Sequence, residues 1–161
     1  MVQSKVRSGP GPDHAMALPL TPATAHDRGW LDQLRRAVYA DLFVATWGAW
    51  DEERHLRHLA SCLDRGSIQL VEVAGERVGM LQVLEDDHAL EVAEIQIAPA
   101  HQGRGIGSRL LREVITRAHR AGKPLALSTG LQNHRAISLY HRLGLRETRR
   151  TETHVHLSIE P

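Results

Sequence analysis

The stretch IQIAPAHQGRGIGSRLL, residues 95–111, is the strongest signal in the sequence, because an apolar strand leads into a glycine-rich turn at the start of a helix. Gly103, Gly105 and Gly107 alternate with other residues in this turn. Glycine lets backbone N–H groups approach a ligand without interference from a Cβ atom, and the helix adds unpaired donors and the positive end of its dipole. The pattern predicts a phosphate-binding loop, with a glycine-rich turn that binds nothing as the alternative.

Two common nucleotide-binding loops do not fit this stretch. The Rossmann fingerprint requires G-x-G-x-x-G near the first strand and an acidic residue roughly 20 positions later. Here the spacing is G-x-G-x-G and the loop lies late in the chain. A Walker A loop requires Gly-Lys-Ser or Gly-Lys-Thr, which the chain lacks. The loop is therefore of phosphate-binding type but belongs to neither class.

Working towards the N-terminus, the periodicity predicts two helices and four strands. Asp27 is expected to cap a first helix, and a second is expected to follow Asp51 and end at Gly66. Apolar side chains at helical spacing predict their buried faces, which are Leu31, Leu34, Val38 and Leu42 on the first and Leu56, Leu59, Ala60 and Leu63 on the second. The predicted strands are Ala17 to Leu20, Ser67 to Ala74, Arg77 to Leu84 after a Gly75-Glu76 turn, and Leu90 to Ile97 after an Asp86-Asp87 turn.

Working towards the C-terminus, strands and helices alternate before a final hairpin. The expected order is a helix over 105–121, a strand over 125–128, a helix over 133–143, and paired strands over 145–147 and 152–159. The whole pattern predicts an α/β fold with a mixed, mostly antiparallel central sheet of about seven strands and helices on both faces.

Composition limits the function classes. The 161 residues are 42% hydrophobic, which fits a single domain over residues 16–161, and residues 1–15 are expected to be a flexible tail or a vector-derived remnant. The formal net charge of +1 gives no electrostatic footprint for nucleic acid. No apolar run approaches the roughly 20 residues of a membrane helix. Together with the single cysteine, Cys62, these features predict a cytoplasmic protein with no nucleic-acid or membrane partner.

A second informative stretch is NHRAISLYHRLGL, residues 133–145. As a helix it places Ala136, Leu139, Tyr140 and Leu143 along one face. A phenol at a cleft can donate a proton, so Tyr140 is a candidate acid. A core tyrosine with a satisfied hydroxyl is the alternative.

Together, these two stretches resemble the GNAT superfamily of acetyl-CoA-dependent N-acetyltransferases. The first is similar to its Q/R-x-x-G-x-G/A pyrophosphate motif and the second to its "N…A…LY…LG" motif, and the resemblance extends from about Met16 to Glu160. It implies that the fourth strand, ending at Ile97, splays from the fifth, and that the pantetheine arm of acetyl-CoA lies in the gap. It further implies transfer of an acetyl group to a primary amine without a metal.

The resemblance also implies roles for individual residues. The residues expected to contact the cofactor are Ile97, Ala98, Gln102, Gly103, Arg104, Gly105, Ile106, Gly107, Ser108 and Asn133. Tyr140 matches the tyrosine that protonates the departing thiolate. A catalytically silent acyl-CoA-binding module is the alternative function, which Tyr140 argues against and which Ser128 leaves open.

The general base is less clearly marked. Some members of the superfamily carry a glutamate on the fifth strand, where this chain has Ser128. Others carry the base on the fourth strand, where Glu91 and Glu94 are the candidates. These two are three residues apart, so they face opposite sides of a regular strand, and only one should reach the cleft unless a bulge intervenes. Each has a solvated strand residue as its alternative interpretation.

The acceptor is expected to be a small-molecule or peptide amine. Trp47 and Trp50 could form an aromatic wall for it, and His154 could touch it or relay a proton, although packing and surface roles are the alternatives. His55 and His58 lie three apart on a helix, but the sequence nominates no third ligand, so no metal site is predicted. Dimers are common among similar proteins, so a homodimer is one expected state.

Overall fold

The computed structural model describes residues 17–161, so the predicted tail over residues 1–15 lies outside the described residues. The strands are β1 (Leu20–Pro22), β2 (Ile68–Val73), β3 (Glu76–Glu85), β4 (Leu90–Ile97), β5 (Leu125–Gly130), β6 (Arg146–Arg150) and β7 (His154–Ile159). The helices are α1 (Arg28–Trp47), α2 (Glu52–Arg65), α3 (Ile106–Ala121) and α4 (His134–Arg142), with short 3₁₀ helices at Ala25–Asp27 and Pro99–His101.

The strands form one sheet in the order β1-β2-β3-β4-β5-β7-β6, and all neighbours are antiparallel except β4 and β5. The β4–β5 pairing joins only 90–92 to 125–127, after which the two strands separate. This confirms the mixed, mostly antiparallel sheet, the splay and the C-terminal hairpin. The separation leaves the β4 backbone after Val92 without a strand partner on the β5 side, and this gap positions the site.

Two hydrophobic cores cover the two faces of the sheet. One core packs α3 and α4 against β3, β4, β5 and β7, and it includes Leu110, Leu111, Leu127 and Tyr140. The other core packs α1 and α2 against β2 and β3, and it includes Leu31, Leu34 and Leu59. The expected helices on both faces are therefore present, and apolar burial on each side holds the sheet in place.

The first strand is displaced from its predicted position. The prediction ended it at Leu20, but the strand runs from Leu20 to Pro22 and pairs with Gln69–Val71 of β2. Pro22 is tolerated because β1 lies at the edge of the sheet, where a missing N–H need not interrupt a ladder.

The β2–β3 turn was also misplaced by one residue. The two turn residues are Ala74 and Gly75, since Val73 pairs with Glu76 across the hairpin. Both have positive φ, +51° and +80°, as a two-residue turn of type I′ requires. Glycine therefore occupies the second central position of this turn, and Ala74 takes a conformation that non-glycine residues rarely adopt.

The predicted buried stripe of α2 was partly wrong. Leu59 is buried, but Leu56 is 41% exposed, and the buried positions beside Leu59 are those of His55 and Cys62. The imidazole of His55 is accommodated because its Nε2 is hydrogen-bonded to Asp32 on α1. The buried face of α2 is therefore turned away from the one that its leucines indicate, and it includes a polar contact with α1.

Asp27 lies at the N-cap of α1 as predicted, but its carboxylate makes no hydrogen bond to the helix. It accepts from the Thr24 backbone N–H at 2.7 Å and forms an ion pair with Arg77 at 2.8 Å. The buried carboxylate therefore joins the start of α1 to β3.

Candidate functional site

A cleft of about 940 Å³ opens where β4 and β5 separate. Its walls come from both layers of helices, because α1 and α2 border it on one face of the sheet and α3 and α4 on the other. The predicted site residues that line it are Trp47, Glu94, Ile97, Gln102, Gly103, Gly105, Ile106, Gly107, Ser108, Asn133, Tyr140 and His154. The remaining four, Glu91, Ala98, Arg104 and Trp50, do not line it.

The glycine loop has the geometry of an anion site. Gly103 and Gly105 adopt φ of +76° and +78°, a region that favours glycine. Gly105 caps α3 without a side chain, and its carbonyl accepts the first helical bond from the N–H of Arg109. The amides of residues 106–108 therefore have no acceptor within the helix and are oriented for a ligand at its N-terminus.

Positive charge reaches this loop from α4. A Cβ atom on Gly103 would lie 3.2 Å from the Arg135 guanidinium, so this side chain extends over the loop. Arg135 also lines the cleft, whereas Arg104 in the loop is exposed and does not. Arg135 was not among the predicted cofactor contacts, although its position two residues after Asn133 at the start of α4 could have suggested it.

The end of β4 presents backbone to the cleft. The Ile97 carbonyl accepts a hydrogen bond from Gln102 Nε2 at 2.9 Å, so the loop is held against the strand. The Ala98 N–H donates to the Val78 carbonyl at 2.8 Å, away from the cleft. Ile97 and Gln102 therefore lie where cofactor contacts are predicted. Ala98 does not line the cleft, and its hydrogen bond to Val78 holds the end of β4 against β3.

Asn133 caps α4. Its Oδ1 accepts from the Ala136 N–H at 3.4 Å, and its Nδ2 donates to Thr129 Oγ1 at 3.1 Å. The side chain therefore fixes the start of α4 against the end of β5 and lies in the cleft wall at the same time.

Tyr140 lies on α4, is 6% exposed and lines the cleft. Burial, and then the negative charge of Glu94, raise the pKa of its phenol to about 12. The hydroxyl therefore stays protonated at neutral pH and is a potential donor to a nascent anion.

A bulge in β4 decides the positions of the two glutamates. Gln82 pairs with Glu94 and the next residue, Val83, pairs with Val92, so Ala93 is an extra residue in β4. The bulge turns both glutamates towards α2, but only Glu94 reaches the cleft. Glu91 is exposed and forms an ion pair with Arg65 at 3.1 Å, which places it outside the candidate site.

Glu94 is buried among polar partners. It is hydrogen-bonded to His58 Nε2, accepts from Gln96 Nε2 at 3.0 Å, and lies 3.9 Å from an Arg35 guanidinium nitrogen. Burial alone would raise the pKa of this carboxyl, but His58 and then Arg35 and Gln96 lower it below its ordinary value. Glu94 is therefore ionised at neutral pH.

The aromatic residues divide into two groups. Trp47 is 39% exposed at the cleft, where its ring lies 6.5 Å from that of His154 and beneath the Arg54 guanidinium at 4.4 Å. Both tryptophans pack against Phe43, with ring centroids 4.5 Å away for Trp47 and 4.8 Å away for Trp50, but the indole N–H of Trp50 donates to Glu52 and its ring does not line the cleft. Only Trp47 of the two predicted wall tryptophans therefore borders the candidate acceptor site.

His154 projects from β7 into the cleft. Burial, and then the proximity of His156 and His58, lower the pKa of its imidazole. It is therefore neutral at physiological pH and can accept or donate a hydrogen bond there.

The fold places Cys62 and Glu94 beside His58, a grouping of possible metal ligands that the sequence did not reveal. The donor atoms of His58, Cys62 and Glu94 lie within 4.8 Å of one another, and this is the group in residues 17–161 that could hold a metal ion. Metal binding needs a thiolate, but burial and then the charge of Glu94 raise the pKa of the Cys62 thiol to about 12. With Arg35 beside Glu94 as well, the residues fit a hydrogen-bonded cluster better than a metal site.

Comparison with known proteins agrees with this geometry. A model of the acetyltransferase (GNAT) family matches residues 31–145. The chain is 33% identical over 92 residues to an uncharacterized N-acetyltransferase of Methanocaldococcus jannaschii, covering 52% of this chain and 41% of that protein. It is 37% identical over 111 residues to N-alpha-acetyltransferase RimI of Mycobacterium tuberculosis, covering 65% of this chain and 66% of that protein. The match thus spans about two fifths to two thirds of the length of these relatives.

A solved structure has the same fold. The PaiA N-acetyltransferase of Thermoplasma acidophilum, in complex with coenzyme A, superposes with a TM-score of 0.67 at 15% identity and covers 91% of this chain and 100% of that one. None of the helices in residues 17–161 has the length and apolarity that crossing a membrane requires. The family match over most of the chain, the sheet with its splay and the glycine loop at the head of α3 lead to one conclusion: this chain belongs to the GNAT acetyltransferase family.

Proposed function

We propose that this chain transfers an acetyl group from acetyl-CoA to a primary amine by direct attack of the amine on the thioester. The observation that carries the proposal is the continuity of the cleft, which joins the anion-binding loop at α3 to Tyr140 and Glu94. The names of the similar N-acetyltransferases and the coenzyme A in one similar structure support it.

In the proposed arrangement, the pyrophosphate of acetyl-CoA binds the amides of residues 103–108, with Arg135 above the loop. The pantetheine arm runs along the β4 backbone exposed by the splay, towards Ile97 and Ala93. The thioester then lies between Tyr140 on one side of the gap and Glu94 on the other. Such positioning supplies most of the rate enhancement that aminolysis of a thioester needs.

The chemistry requires the acceptor nitrogen to lose two protons, one before and one after its attack, and the thiolate to gain one. The acceptor must lose a proton so that its nitrogen lone pair can attack the carbonyl carbon, and the departing thiolate must gain one when the C–S bond breaks. We assign Tyr140 as the donor to the thiolate, and Glu94 as the strand carboxylate that assists deprotonation of the amine. We assign no role to Glu91, because it does not line the cleft and is paired with Arg65.

The acceptor enters, in this proposal, from the side of Trp47 and His154. This side offers the aromatic surface of Trp47 beside His154, which suits the apolar body of a small-molecule or peptide amine. A cytoplasmic location and a homodimer remain predictions from the sequence.

The test is thiol release from acetyl-CoA by the purified protein, with a panel of amino acids, polyamines and peptide N-termini. Mass spectrometry of the acceptor should show addition of one acetyl group. Binding of acetyl-CoA without thiol release from any mixture would contradict the proposal and favour a silent acyl-CoA-binding module.

A further inference from the structure

Glu94 and His58 form a pair that runs from the buried floor of the cleft to its exposed wall. The Glu94 side chain is 8% exposed, and that of His58 is 43% exposed. One Glu94 oxygen is hydrogen-bonded to His58 Nε2, while the other accepts from Gln96 and faces Arg35. Both carboxylate oxygens are thus occupied, whereas the more exposed imidazole lines the same cleft.

The bond between the two residues fixes the tautomer of the imidazole. An ionised carboxylate only accepts hydrogen bonds, so the Nε2 atom that faces it carries the proton. The lone pair of the neutral ring is then on Nδ1, and no hydrogen bond joins that atom to any group in residues 17–161. An imidazole that holds an unbonded lone pair at a cleft can act as a general base.

We propose that His58, through Nδ1, accepts the proton of the acceptor amine, and that Glu94 is the positioning residue that holds the ring and stabilises the imidazolium. This inference rests on the proposed acetyl transfer and deepens it. It replaces direct or water-mediated proton transfer to Glu94 with transfer to a side chain on α2.

The groups around His58 are compatible with this role. Cys62, one turn later on α2, is a protonated thiol that donates to Glu94, so it adds no charge. His154 approaches from β7 and is neutral. Arg54, one turn earlier on α2, lies over Trp47, and Arg35 on α1 faces the far oxygen of Glu94. Glu94 is therefore the negative charge nearest to an imidazolium at this position.

The proton balance closes with the residues present. The ammonium group of the acceptor gives one proton to His58 Nδ1, and the free amine attacks the thioester carbonyl. When the C–S bond breaks, the thiolate takes the proton of Tyr140, and the amide nitrogen loses its second proton to solvent, from which the Tyr140 phenolate is reprotonated. His58 then releases its proton through its exposed face.

The test compares four proteins by their kcat/KM profiles against pH: wild type, His58→Gln, Glu94→Gln, and His119→Gln as a control at an exposed helical histidine outside the cleft. We expect His58→Gln to lose roughly 10²- to 10⁴-fold in kcat/KM and the acid limb of the profile. Glu94→Gln should retain the acid limb of the profile but with the limb shifted to lower pH, because the imidazolium loses the negative charge beside it. His119→Gln should match wild type.

Melting temperature and CoA affinity show whether the variants are folded, and imidazole NMR gives a readout besides turnover. The wild-type His58 ring should show the Nε2–H tautomer, with mixed tautomers in Glu94→Gln. If wild type turns over and His58→Gln retains both its rate and its acid limb, the inference is overturned while the proposed function stands. If wild type acetylates no amine, the proposed function fails and His58 has no catalytic role.

Discussion

At the scale of single residues, Tyr140 and Glu94 lie close enough for the carboxylate to disfavour ionisation of the phenol. Burial and this negative charge together raise the pKa of Tyr140 to about 12. A phenol held in its neutral form can donate to a thiolate throughout the working pH range, and it takes the proton back from solvent after each turnover. The environment therefore suits an acid that remains protonated.

Replacing Tyr140 by Phe should lower kcat by roughly 10²- to 10⁴-fold, because only the proton donor is removed and the ring still packs. Melting temperature and CoA affinity should change little. The matched comparison is Tyr39→Phe, since Tyr39 is the other tyrosine of the chain and also lines the cleft. Single-turnover thiol release measures the step, and equal losses in the two variants would argue against the assignment of Tyr140.

Asp27 makes stability depend on pH. The Thr24 backbone N–H, and then the Thr24 hydroxyl and Arg77, lower the pKa of its carboxyl below the ordinary value, against the effect of burial. A carboxyl with a lowered folded-state pKa contributes stability above its unfolded pKa, at about pH 4, and loses it as the pH falls through the folded pKa. Asp27→Asn should therefore reduce the free energy of unfolding at pH 7 more than at pH 3.

Urea unfolding at the two pH values measures this difference. Asp64→Asn is the control, because Asp64 is exposed on α2. An Asp27→Asn deficit that is as large at pH 3 as at pH 7 would show that the lost interaction is not ionic.

At the scale of elements, the glycine loop and α3 form one unit that presents amides to the cleft. Gly105→Asp should weaken CoA binding at least tenfold, about 1.4 kcal/mol, because it places a carboxylate beside the pyrophosphate. The control is Gly122→Asp, which puts the same residue at φ of +64° at the opposite end of α3. A carboxylate is less favourable at a helix C-terminus than at an N-terminus, so Gly122→Asp should lower the stability of the fold at least as much as Gly105→Asp does.

Calorimetric titration with CoA compares the affinities of the two variants for the cofactor. Loss of affinity in Gly105→Asp alone supports the loop as the phosphate site. Equal affinities in both folded variants would place the pyrophosphate elsewhere.

Local patterns predicted most elements but not how helices face each other. The strand–loop–helix over residues 95–111 follows from glycine chemistry and 3.6 periodicity, so its position was predicted closely. The orientation of α2 depends on the contact of His55 with Asp32, which lies 23 residues earlier, and no local pattern reports such a contact. The same long-range packing brings His58 to Glu94, so the sequence indicated a strand carboxylate but not its partner.

At the scale of the whole molecule, the cleft exists because β4 and β5 separate after residue 92, and helices from both layers border the gap. The α3–α4 layer supplies the anion loop, Asn133 and Tyr140, while the α1–α2 layer supplies Trp47 and His58. Cofactor and acceptor are thus proposed to enter from different layers and to meet at the gap between β4 and β5. Changes in the α1–α2 layer should accordingly alter acceptor choice more than CoA affinity.

We propose that the gap between β4 and β5 holds acetyl-CoA with its sulfur beside Tyr140. A crystal structure of the complex with CoA tests this most directly. We predict pyrophosphate oxygens on the amides of residues 103–108, pantetheine along the β4 backbone, and the sulfur within hydrogen-bonding distance of the Tyr140 hydroxyl. CoA bound outside the cleft, or within it but with its sulfur directed away from Tyr140, would contradict this placement of the cofactor and the assignment of Tyr140.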